Sequence, residues 1–347
     1  MTFERLAPEQ YDSIPEIPEP VEHGHLAGHR AEADELAGAY RSGKFHHALI
    51  FSGPRGIGKA TLAFRLAHHI LKYPRQADAP EQIAAPDQAA TLFRLMAQGA
   101  HPSLLHLTRP VVERGTGFKS AVTVDEIRRV GRFLGMTSHD GGFRIVIVDA
   151  ADDMNRNAAN ALLKSLEEPP ARTLFVLIVH SIGRMLPTIR SRCQLVKLKP
   201  LGADDLIDAL TAVSPGSAGA DPQALVARAA GSVRDALLLT SFGGLDIADA
   251  IDKVLAGTQL DVAGAHRIAD AVAGKDATIQ FQLFNEHVTA VAEHRAREAA
   301  ERGAPEEAAR LATIWTRLRQ AVVETDTYNL DRRQHVVGLL GQMVLAR

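Results

Sequence analysis

"FSGPRGIGKATLAF", Phe51 to Phe64, decides how the rest of this 347-residue chain is read. Apolar residues run into it from "HHALI", glycines fill its first half, and helical spacing follows, with Leu62, Leu66 and Ile70 on one stripe. Strand, glycine loop and helix in that order make a phosphate loop. Gly53, Pro54, Arg55, Gly56, Ile57 and Gly58 would turn backbone N–H groups onto phosphate oxygens, the helix start adds its positive dipole end, and Lys59 reaches the outer phosphates. ATP or ADP is the expected ligand. Ala60 stands where such loops carry a hydroxyl for Mg²⁺. Thr61 comes one residue late, about 100° further round the helix, so magnesium binding is weakened.

Working outward, "RIVIVD" reads as a buried strand ending in Asp149, the acidic strand end that accompanies the metal in ATPases. The next residue is Ala150, in the position where hydrolysing enzymes of this kind place a glutamate that polarises water. Asp152 and Asp153 are expected to be solvated acids capping a helix that begins near Asn155 and stops at Pro169 and Pro170. "TLFVLIVH" is a further apolar strand, and "QLVKL" another. Apolar strands alternating with helices predict a parallel sheet covered on both faces. The expected organisation is an extended Pro-rich arm over 1–20, an α/β P-loop domain over 21–200, a small helical domain over 201–243 broken at "SPGSAGADP", and a strand-free helical domain over 244–347 with a turn at "ERGAPEE".

Composition narrows the function classes. Lys and Arg total 39 against 41 Asp and Glu, a net charge of -2, which argues against holding DNA by bulk electrostatics alone. The single cysteine, Cys193, excludes a disulfide framework and a Cys-cluster zinc site and suits a reducing compartment. Leu174 to Val179, the longest apolar run, is too short to span a bilayer. The opening "MTFERLAPEQYDSIPEIPEP" has acids and prolines where a signal peptide needs a basic and then an apolar stretch. The expectation is a cytoplasmic protein without membrane contact. His23, His25 and His29 lack an acid or cysteine to complete a metal set, and the pairs His46-His47 and His68-His69 read as surface positions.

"FRIVIVDAADDMNRNAANALLKSLEEPPARTLFVLI" followed by "MLPTIRSRCQLVKLKPL" resembles the clamp-loader branch of the AAA+ family, the subunits that serve bacterial DNA polymerase III. The similarity runs from about His25 to residue 240, and more loosely to "YNLDRRQ", Tyr328 to Gln334. The resemblance implies an AAA+ P-loop domain, a helical lid and a helical collar. It makes Arg192 of "SRC" an arginine finger delivered in trans to a neighbour's ATP; from the triplet alone, a surface arginine is an equal reading. It makes Arg234 of "GSVRDAL" a second sensor of nucleotide and places His180 and Ser181 near a first. Glu167 and Glu168 are then structural parts of a family signature. The implied partners are a delta subunit, the ATP-hydrolysing tau/gamma subunits and, through this hetero-oligomer, the sliding clamp and primer–template DNA. Many such relatives carry a four-cysteine zinc module after the phosphate-loop helix, whereas residues 73 to 100 here contain no cysteine, so zinc is not expected. The chain would be no polymerase itself and a poor or inactive ATPase. The alternative, an active tau/gamma-like motor subunit, has Ala60 and Ala150 against it.

Overall fold

Alternating side chains of one parallel sheet sort the α/β part of the protein into two layers. The computed structural model describes residues 4–113, 115, 117–135, 142–215, 217 and 222–345. Packing divides the chain into two units, residues 1–235 and 236–347. In the first unit the order is α1 (Arg30–Arg41), β1 (Ala48–Ser52), α2 (Lys59–Lys72), α3 (Thr91–Ala97), β2 (Leu104–Leu107), α4 (Val124–Gly135), β3 (Arg144–Asp149), α5 (Arg156–Glu167), β4 (Thr173–Val179), α6 (Pro187–Arg190), β5 (Gln194–Lys197), α7 (Ala203–Val213), α8 (Pro222–Ala229) and α9 (Val233–Ser241), inside which the division falls. The strand order is β2-β3-β4-β1-β5, all parallel. One strand, β4, therefore lies between the strand that enters the phosphate loop and the strand that ends in Asp149.

Successive strand residues point to opposite faces. Leu49, Phe51, Ile145, Ile147, Val176 and Ile178 pack with Leu36, Leu62 and Leu66 of α1 and α2. Ile50, Val146, Val148, Phe175 and Leu177 pack with Ile127, Val130 and Leu162 of α4 and α5. All seven residues of β4 are buried, as a central strand covered on both faces requires. Each such side chain contributes about 1.5–3 kcal/mol of burial free energy, which explains why apolar runs rather than alternating patterns mark these strands. Local signals set the helix ends. Asn155 caps α5, its side chain accepting from the Ala158 N–H at 2.9 Å. Pro187 opens α6 at a position whose N–H needs no helical acceptor.

Residues 4–20 contain no helix or strand, yet they are fixed to the first unit. Ala7 and Ile14 are buried, and Arg5 pairs with the Glu19 carboxylate while donating to the carbonyls of Ile14 and Ile17 at 2.7 and 3.0 Å. The segment expected as a separate helical domain, 201–243, is divided between the two units. Its first part is tied to the α/β body: the Val233 N–H donates to the Gly56 carbonyl at 2.9 Å, and His25 meets Asp208 at 2.8 Å. The break read at 214–222 falls partly outside the described residues.

The second unit holds α10 (Gly244–Ala256), α11 (Val262–Val272), α12 (Thr278–Glu301), α13 (Pro305–Tyr328) and α14 (Arg332–Leu345), with no strand among the described residues. Its core joins Ile251, Val254, Ile268, Phe284, Val288, Leu318, Leu339 and Leu340. Among the described residues, no helix is long and apolar enough to cross a membrane.

Candidate functional site

The phosphate loop leaves β1 at the carboxyl edge of the sheet, where ligands of parallel α/β proteins bind. A Cβ on Gly53 would lie 2.3 Å from the Leu198 carbonyl oxygen, so only glycine lets the chain pass there. Gly56 and Gly58 hold φ of 74° and 97°, left-handed values that favour glycine. The Ile57 side chain is fully buried, and its carbonyl accepts from His29 Nε2 at 2.7 Å. Lys59 is buried at the start of α2, and its ammonium donates to the Gly53 carbonyl at 2.8 Å and to that of Pro54. Burial holds the Lys59 pKa down to about 8, although Asp149 and Asp152 pull it back up. Ala60 packs against the apolar layer below, and Thr61 is buried within α2.

Asp149 ends β3 on the same edge. Loss of hydration and the Asp12 carboxylate raise its pKa to about 7, against the opposing pull of Lys59 and Arg55. Ala150 is completely buried. The expectation of Asp152 and Asp153 as solvated helix caps is corrected. Asp152 is 6% exposed and accepts the N–H groups of His180 and Ser181 at 3.1 and 3.0 Å, fixing the end of β4. Asp153 receives Arg109, Nη2 at 2.6 Å and Nε at 2.8 Å. Asn155 does the capping, because its amide oxygen alone sits at the right offset from the first helical N–H groups. His68 and His69 also depart from expectation. They are buried on α2 because this helix is covered on nearly every side, so adjacent positions are both enclosed.

Arg234 is brought to the loop by the start of α9: a Cβ on Gly56 would lie 2.2 Å from Ser232 Oγ and 2.6 Å from Arg234 Cβ. Tyr11, Asp12 and Arg109 also stand here, unflagged by sequence reasoning. Arg55 Nη2 donates to Asp12 Oδ2 at 2.9 Å, and the Arg109 guanidinium lies 4.1 Å over the Tyr11 ring. No local pattern could have found them, since Asp12 lies 43 residues from Arg55 and 222 from Arg234.

Arg192 lies elsewhere. β1 and β5 pair in parallel with Leu49 opposite Gln194 and Ser52 opposite Lys197. Arg192 precedes β5, whereas Gly53 follows β1, so the two sit at opposite edges of the sheet, about 10 Å or more apart along the strand direction. Its Nη2 pairs with Glu167 at 2.7 Å and its Nη1 donates to the Thr188 carbonyl at 2.8 Å, with about a third of the side chain exposed.

The loop's glycines, its helix start and Lys59 fit a nucleotide's phosphates. The residues do not fit a magnesium ion in the usual way, because Ala60 offers no oxygen and Asp149 stands without a hydroxyl partner. Phosphate loop, acidic strand end and one strand between them define an α/β P-loop domain of the AAA+ type. The sequence profile of the family described as "DNA polymerase III, delta subunit" matches residues 28–202, and the chain belongs to that family. It is 40% identical over 148 residues to the DNA polymerase III subunit delta' of Pseudomonas aeruginosa, covering 42% of this chain and 41% of the relative. It is 35% identical over 171 residues to the subunit delta' of Escherichia coli K12, covering 49% and 48%. The matches thus span under half the length of these curated relatives. Among solved structures, a DNA polymerase III gamma subunit-related protein of Thermotoga maritima aligns with a TM-score of 0.47 at 16% identity, covering 91% of this chain and 99% of that one.

Proposed function

We propose that this protein is a delta-prime-type subunit of a DNA polymerase III clamp loader, which helps to place the sliding clamp on primed DNA. Its P-loop domain keeps the phosphate cradle and lacks the parts that cleave ATP. Arg192 serves as an arginine finger for the ATP site of an adjoining subunit. The observation that carries this reading is the placement of Arg192: it is part-exposed at the sheet edge opposite its own phosphate loop, so its guanidinium can stabilise phosphoryl charge only on another chain's nucleotide. Its partners are then the tau/gamma and delta subunits, with clamp and primer–template DNA engaged through the assembly. The helices from Gly244 onward form the collar contact, and the cytoplasm is where such a machine works. ATP or ADP is bound with little help from Mg²⁺, since Ala60 supplies no metal ligand.

Reconstitution of the loader with Arg192→Ala tests the reading. Clamp- and DNA-stimulated ATP turnover is expected to fall at least about tenfold at the site this subunit faces, since fingers of this kind account for about 10³–10⁵ in rate. Unchanged single-turnover hydrolysis at that site overturns the assignment. The motor-subunit alternative is disfavoured by Ala150, whose buried methyl group cannot polarise water.

A further inference from the structure

The N-terminal segment lays an acid and an aromatic ring directly on the phosphate loop. Asp12 engages two arginines. Arg55 of the loop donates to its carboxylate at 2.9 Å, and Arg234 donates to its carbonyl while standing 4.0 Å from the same carboxylate oxygen. Tyr11 lies between two guanidinium groups, Arg109 at 4.1 Å and Arg55 at 5.5 Å from the ring centre. Arg109 is in turn braced by Asp153. The flanks are pinned as well. The Thr108 hydroxyl donates to Gln10 Oε1 at 2.6 Å, and the Glu22 carboxylate accepts the N–H groups of Leu6, Ala7 and Glu19 at 2.5, 3.0 and 2.7 Å.

The chemistry of this contact is that of anion recognition. A guanidinium in the loop and another at the helix that clasps it are the groups a polyphosphate chain would meet, and a carboxylate satisfies the same donors. Asp12 does so at a cost, because it adds a fourth acid to a site already holding Asp149, Asp152 and Asp153. Like charges so placed stay together only while the arginines compensate. Lys59, meanwhile, spends its protons on the carbonyls of Gly53 and Pro54.

We propose that Tyr11 and Asp12 form an intramolecular ligand of the phosphate loop, with Asp12 taking the place of nucleotide phosphate oxygens on Arg55 and Arg234, so that a nucleoside triphosphate binds only by displacing the segment. The inference rests on the phosphate-loop reading and is independent of the role of Arg192.

Equilibrium titration of the full chain with a fluorescent ATP analogue tests it, comparing wild type with Asp12→Asn, Tyr11→Ala and Glu9→Gln. The last removes a charge from an exposed position of the same segment without touching the contact. Asp12→Asn and Tyr11→Ala are each expected to tighten binding about tenfold, because the competent fraction sets the apparent affinity. Glu9→Gln leaves it unchanged, and adding Lys59→Ala erases the gain. Binding no tighter than wild type in Asp12→Asn overturns the proposal, as does an equal gain in Glu9→Gln, which would mean charge alone. Should Tyr11→Ala lower the melting temperature, the near-isosteric Asp12→Asn decides. Arg192→Ala is expected to leave this titration untouched, so a failed finger and a failed intramolecular ligand are told apart.

Discussion

Gly56 shows how much one residue carries in this site. It combines a left-handed backbone with close approach from Ser232 and Arg234, and its carbonyl takes the Val233 N–H. Gly43 has a similar φ of 70° but nothing within 4 Å of where a Cβ would stand. Gly43→Ala is therefore expected to cost about 1 kcal/mol from backbone strain alone. Gly56→Ala should cost about 2 kcal/mol more, because Arg234 Cβ cannot rotate away and the start of α9 must shift. Urea unfolding of the two variants side by side measures the difference; equal costs would mean that the loop is not clasped by α9. At the same residue scale, Ala60 presents to the loop a methyl that packs on the apolar layer, and Ala150 a methyl that is completely buried, so neither offers an oxygen to a ligand.

At the scale of elements, α12, α13 and α14 meet around a buried polar triad. His335 Nε2 lies 2.8 Å from Asn285 Oδ1, and Nδ1 lies 2.8 Å from Thr325 Oγ1. The amide oxygen can only accept, so Nε2 carries the proton and Nδ1 accepts from the threonine hydroxyl. That arrangement suits a neutral ring, and burial holds its pKa down to about 4. His335→Ala strands two buried polar groups and is expected to destabilise the 236–347 unit by about 2 kcal/mol or more. Hydrogen exchange over residues 278–345 reads the effect, with His335→Gln recovering part of it. The neighbouring "YNLDRRQ" has a local explanation too. Asn329 takes the left-handed conformation that ends α13, and Asp331 accepts the Gln334 N–H at 2.8 Å at the start of α14. This stretch builds a helix–turn–helix corner.

Over the whole molecule, buried histidines set the response to acid. Burial depresses His23, His68, His106 and His180 to about 4, all in the 1–235 unit, against His335 alone among those brought to that value in the other. A ring held neutral in the fold but free to protonate at its ordinary value of 6.5 when unfolded contributes stability above that pH. The contribution is lost as pH falls from 6.5 towards 4. Asp149 and Glu19, raised by burial, act with the opposite sign, since the folded form holds their protons over a window reaching about 7 for Asp149. With His69, which burial also lowers, five rings stand against two carboxyls, and acidification is expected to destabilise this unit. Exchange protection of the 1–235 unit is accordingly expected to fall more between pH 7 and 5 than that of the 236–347 unit. Equal losses in the two would count against the burial of these rings.

The phosphate loop, the apolar strands and the helices that follow the loop and Asn155 were legible because each rests on local physics: apolar period, glycine freedom, a proline stop. Lys59 and Asp149 could be singled out for the same reason, by their places in short motifs, whereas Arg192 was singled out only through the family resemblance, its triplet fitting a surface arginine equally well. What rested on partners distant in the chain was decided by tertiary structure alone. Asp152 turned from a solvated cap into a clamp on β4, His68 and His69 went inside with a helix covered all round, and Tyr11 and Asp12 came from a proline-rich stretch onto arginines far along the sequence. A contact between residues so far apart leaves no periodicity to read, because it is the folded sheet and its covering helices that bring such charges within reach of one another.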